Sequence, residues 1–240
     1  MRAPLGVGQK DRLGHIRTPD VIAYAQDARA KDMPSGWFLP NDGYSCGYED
    51  LPHTVNELKK LGFQTGLWTE SSLANIGYEV GQAGTRAVKT DVAWVGGGYE
   101  PAFNGVQSAV DGIEDNSDAR RFVWTVDGWA GTHRNAVVWT GDTYGTFSDM
   151  RWHVPAIAGA GFSALNYASG DVDGIYGGSP LTFSRDLQWK AFTPAFMTMS
   201  GWGATNPTTG YNDKPCAGSA AGWAWKGQVG RRQGRAARRR

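Results

Sequence analysis

The chain of 240 residues has only two cysteines, Cys46 and Cys216, far apart and outside any CxxC or CxxH spacing. That spacing gives no support to a metal site, and a single disulfide between the two stays open but unsupported. His15, His53, His133 and His153 have no ligand spacing either, so no metal and no cofactor is expected. No apolar run approaches the roughly 18 residues of a membrane span. The first residues, MRAPLGVGQKDRLG, lack the apolar stretch of a secretory leader, so the compartment stays open. The glycines at Gly6 and Gly96 lack GxGxxG or GxxxxGK spacing and read as turn glycines, not phosphate cradles. Net charge is also nearly absent, at +1, but it is unevenly placed. The last ten residues hold six Arg; without them 18 Lys+Arg face 23 Asp+Glu, a net of −5. A mildly acidic body argues against nucleic-acid binding, although the tail alone resembles a basic arm.

What the chain does have is 34 Gly and 11 Trp. Glycines on this scale suit long irregular loops. Indole rings suit either a core or flat platforms for sugar rings, and composition does not separate the two.

The pattern along the chain alternates strand and helix. Strands are expected at 36–42, 63–69, 87–92, 121–126, 135–140 and 162–167, and helices at 18–31, 52–61, 105–113, 147–158 and 184–191. Thr18 reads as the first N-cap, with Pro19 following, and Pro155 as a kink or boundary. Alternation of this kind implies a mostly parallel sheet. Polar residues collect just past the strand ends: Asp42, Thr69 with Glu70, Asp91, Asp142 and Asp171. A barrel gathers such ends around one pocket, so the expected class is α/β, a (β/α)8 TIM-type barrel with about six of its eight strands. The organisation expected is an unassigned segment 1–17, a partial barrel 18–214 and an Arg-rich, disordered tail 215–240.

Asp91 and Asp142 stand out chemically. Each follows an apolar β-type run and sits beside Trp and Gly. Glycosidic cleavage needs one carboxylate anion and one protonated carboxyl group. Lys89 shares a strand face with Asp91, and its ammonium would favour the anion. Asp142 has no adjacent cation, and partial burial would keep it protonated. Spacing alone also fits two turn aspartates, and leaves that reading open.

The motifs add a resemblance. VKTDVAW (88–94), AGTHRNAVVWTGD (130–142), DVDGIYG (171–177) with RDLQ (185–188), and PNDGY (40–44) resemble successive motifs of the catalytic barrel of glycoside hydrolase family 31. The resemblance runs from about Pro34 to Trp202. It implies Asp91 as nucleophile, Asp142 as general acid/base and Asp42 as a sugar-hydroxyl contact. The candidate substrate-binding set is Asp42, Trp68, Lys89, Trp94, Arg134, Trp139 and Asp171. The chain departs from the family where Val92 and Ala93 follow Asp91. It departs again where Val126 stands for a sugar-touching Arg, and at FTPAFMTM, where Met197 and Met199 replace Arg and His.

The implied activity is that of a retaining α-glycoside hydrolase or transglycosylase acting on oligosaccharides or α-glucans, with neither nucleic acid nor membrane as partner. The alternative is a catalytically inactive, carbohydrate-binding fragment. After Pro215 the resemblance stops, and CAGSAAGWAWKGQVGRRQGRAARRR resembles a GC-rich gene read out of frame. A natural basic tail is the other reading. Truncation near Pro215, with two barrel strands missing and the chain inactive, is the expectation.

Overall fold

A computed structural model describes residues 2–4, 17–40, 48–68, 73–90, 98–174 and 178–198. The expected site residues Asp42, Asp91 and Trp94 lie outside them, as do both cysteines and the tail.

Nine short strands and five α-helices are present among the described residues. The strands are β1 (Arg2–Pro4), β2 (Trp37–Phe38), β3 (Gln64–Trp68), β4 (Ala87–Thr90), β5 (Val123–Thr125), β6 (Ala136–Trp139), β7 (Ala168–Ser169), β8 (Asp171–Val172) and β9 (Phe196–Thr198). The helices are α1 (Thr18–Ala30), α2 (Leu51–Lys60), α3 (Tyr99–Asn116), α4 (Phe147–Phe162) and α5 (Pro180–Lys190).

Six strands, β2 to β7 in chain order, form one continuous parallel sheet, the incomplete barrel wall expected from the sequence. A second parallel sheet has the order β1-β9-β8, and only Gly170 separates β7 from β8. The strands at Arg2–Pro4 and Phe196–Thr198 were not expected. Each is three residues long, too short for a period-two pattern to register.

Alternation along the strands builds two packed surfaces. Outward-facing Val88, Val123 and Ala136 meet Val106, Ala109, Val110 and Ile113 of α3. Inward-facing positions carry rings. Trp124 lies edge-on between Trp37, at 5.1 Å between centroids, and Trp139, at 5.0 Å. These indoles fill the barrel interior in place of the branched aliphatics common there.

Three expected elements are corrected. Thr18 is the first residue inside α1, and Arg17 holds the cap position. The Thr18 hydroxyl instead reaches α2, donating to the Asp50 carbonyl at 3.1 Å and pairing with Thr54 Oγ1 at 2.8 Å. Pro155 lies inside α4, which runs on to Phe162. The stretch read as a strand at 162–167 is therefore the end of that helix and its turn. The Leu165 amide donates to the Ala160 carbonyl at 2.8 Å, with Ala164 at φ 63°. That helix-ending geometry consumes the residues a strand would need, and β7 starts at Ala168.

Candidate functional site

Parallel pairing puts the C-terminal ends of β2 to β7 along one end of the barrel wall. Lys89, on β4, is buried, and its Nζ lies 5.3 Å from the Trp124 ring centroid and 5.0 Å from that of Trp139. A desolvated ammonium between two indole faces is held by ring quadrupoles as well as by any nearby anion. Trp68 and Trp139, the last residues of β3 and β6, are buried at 3% exposure each and present no ring face to solvent.

After β6 the backbone turns at Gly141, with φ 80°, and Asp142 emerges exposed, where partial burial was expected. The left-handed φ explains why glycine precedes the aspartate. The turn runs through exposed Tyr144 to Thr146, whose hydroxyl caps α4 by accepting the Asp149 amide at 3.0 Å. Asp171, on β8, is buried.

Arg134 does not join this group. It lies in a short helical turn, Thr132–Arg134, ahead of β6, and lines a cavity of about 820 Å³ with Trp37, Arg86, Arg121, Phe122 and Tyr167. Those residues sit at or before the strand starts, so this cavity opens at the N-terminal end of the barrel. Asp142 lies past the strand's other end. Closeness along the motif placed the two together; the length of β6 separates them.

Several residues at the C-terminal end escaped the sequence reading. Asp127 is half-buried two residues past β5, and its amide donates to Thr125 Oγ1 at 3.2 Å. Below the Asp142 turn, Lys190 is fully buried, donating to the Asp171 carbonyl at 2.6 Å and to Asp186 Oδ2 at 2.8 Å. Asp186 Oδ2 also accepts the Asp173 amide at 2.6 Å, and Asp186 Oδ1 accepts the Trp189 indole N–H at 2.7 Å. Burial pulls the Lys190 amine below its ordinary value, and the Asp186 carboxylate works against that pull. His153 Nε2 lies 3.2 Å from Thr140 Oγ1, and burial first, then the Lys190 charge, pushes the imidazole down to about 4. The available signal was the i,i+4 spacing of Asp186 and Lys190 on α5.

Comparison with known proteins gives three kinds of likeness. The family model described as the glycosyl hydrolases family 31 TIM-barrel domain matches residues 100–215. An alpha-xylosidase of Saccharolobus solfataricus is 30% identical over 112 residues, which are 42% of this chain and 15% of that protein. Among solved structures, a cycloalternan-degrading enzyme from Trueperella pyogenes in complex with isomaltose matches with a TM-score of 0.66 at 15% identity. It covers 83% of this chain and 42% of that one. A cycloalternan-forming enzyme from Listeria monocytogenes, in complex with a pentasaccharide substrate, matches with a TM-score of 0.66 at 14% identity, covering 86% and 29%. The chain thus spans less than half the length of each of these relatives.

Proposed function

We infer the function from one premise: this chain belongs to glycoside hydrolase family 31, through a TIM-barrel segment that includes residues 100–215. We propose that it is catalytic barrel of a retaining α-glycoside hydrolase or transglycosylase, acting on α-linked oligosaccharides. Asp91 attacks the anomeric carbon while Asp142 protonates the leaving oxygen. Asp142, now a carboxylate, then takes a proton from water or from an acceptor sugar, and that oxygen displaces Asp91.

One observation carries the reading. The motif ending in Asp142 folds as an inner barrel strand, a left-handed glycine turn and an exposed carboxyl group at the strands' C-terminal end. Active sites of such barrels lie at that end. Two further features support it. Lys89, near the end of β4, faces the interior, its ammonium over the Trp124 and Trp139 rings. The substrates in the names of the relatives, cycloalternan and α-xylosides, are α-linked sugars. Retaining chemistry expects the two carboxyl groups about 5–5.5 Å apart.

Release of p-nitrophenol from α-glucosides and α-xylosides tests the proposal. Turnover that Asp91→Ala abolishes supports it. Oligosaccharide binding without turnover would instead favour a carbohydrate-binding fragment.

A further inference from the structure

Two stretches meet at the C-terminal end of the barrel: the turn 141–146, which carries Asp142, and residues 171–174 with Gly178. Their backbones touch. Gly145 and Gly178 form an isolated parallel bridge. A Cβ on Gly145 would strike the Asp173 carboxylate and carbonyl, and one on Gly174 would strike the backbone of Thr143 and Tyr144. Neither loop can shift without the other.

The second loop is in turn fastened from below. The Asp173 carboxylate accepts the Gly178 amide at 2.9 Å and the Thr182 hydroxyl at 3.3 Å. The Asp173 amide donates to Asp186, and Lys190 holds both Asp186 and the Asp171 carbonyl. A second strut reaches the same turn from its start. Thr140, two residues before Asp142, contacts His153, and a Cβ on Gly170 would meet Thr140 Oγ1 at 2.6 Å and Lys190 Nζ at 3.4 Å. Asp173 itself has φ 65°, a left-handed conformation that aspartate tolerates better than most side chains.

We propose that the buried Lys190–Asp186 pair is a positioning device that holds the Asp142 turn in place through residues 171–174 and Gly178. Lys190 and Asp186 are positioning residues; the inference rests on the reading of Asp142 as acid/base. The chemistry favours this over a role in stability. A buried ion pair is often no more stabilising than apolar residues of equal volume. It does supply directed bonds to two backbone groups, the Asp171 carbonyl and the Asp173 amide, which apolar residues lack.

The experiment compares the full chain with K190M/D186L, which replaces the pair by apolar groups and leaves no uncompensated charge. A second variant, Asp173→Asn, keeps the pair and weakens only the last link, so a misfolded double variant does not end the test. Two readouts are taken. Amide hydrogen exchange over 143–146 should quicken 10-fold or more in K190M/D186L, with α1 and α2 unchanged, and less in Asp173→Asn. Turnover of methyl α-glucoside, which needs a proton donor, should fall at least 100-fold, against less than 10-fold for α-glucosyl fluoride with azide as acceptor, which needs neither the donor nor the base. Unchanged exchange in the folded variants, or an equal loss on both substrates, overturns the proposal. If the wild-type chain turns over neither substrate, exchange alone decides whether the pair positions the turn.

Discussion

The Lys89 ammonium lies 5.0 Å from the centroid of the Trp139 ring, inside the barrel and shut off from solvent. A charge in such a place is costly unless something there uses it. Lys89→Met keeps most of the aliphatic volume and removes the charge. If the ammonium favours the anionic nucleophile, turnover of an α-glucoside should fall about 10- to 100-fold, a loss of roughly 1.4–2.7 kcal/mol. Far-ultraviolet circular dichroism should match wild type. Unchanged turnover would assign Lys89 to packing alone.

Asp142 stands exposed beyond a left-handed turn. An acid/base residue matters most where the leaving group is poor. Asp142→Ala should lower turnover of methyl α-glucoside by about 10²–10⁴-fold and spare α-glucosyl fluoride in the first step. External azide should then restore product formation as the glycosyl azide. Equal losses on both substrates would assign Asp142 another role.

Trp124 sits at the centre of the interior rings with 1% exposure, edge-on to both Trp37 and Trp139. Trp124→Ala removes the middle ring of three. A loss of about 3–5 kcal/mol in urea unfolding is expected. A cost below about 1 kcal/mol would mean that the rings do not act as one packed column.

His153 predicts a pH dependence of stability. Its folded value, about 4, lies below the ordinary histidine range because burial disfavours the charged ring. The unfolded chain therefore binds the proton more readily, and stability rises with pH where it does so. The contribution is full above about pH 6.5 and is lost as pH falls toward 4, at most about 3 kcal/mol. Urea midpoints at pH 7.5, 6 and 5 measure the slope. His153→Leu should flatten that slope; an identical slope in the variant would rule out His153 as its source.

Much of this architecture could be read from residue order. The runs around Leu67, Val88, Trp124 and Val138 are apolar on both strand faces, as strands buried between an interior and a helix layer must be. The turn at Gly141–Asp142 was legible because glycine is the residue such a φ requires. What failed did so for physical reasons. Phe162 and Leu165 look like strand residues, yet they belong to a helix end, where Phe162 is 95% exposed. Arg134 shares a motif with Asp142 but is separated from it by the length of a strand. Asp186 and Lys190 give no signal in the sequence beyond an i,i+4 spacing of opposite charges, which on most helices faces water. Only the fold shows that they face inward.

The central claim, double displacement at Asp91, has a direct measurement. A 5-fluoro-α-glucosyl fluoride slows release of a covalent intermediate, so the sugar stays on its nucleophile. Digestion and mass spectrometry of the labelled chain then locate it. The account predicts the added mass on the peptide 90–98, at Asp91. Label on any other carboxylate, Asp142 included, or no label under conditions that support turnover, would contradict it.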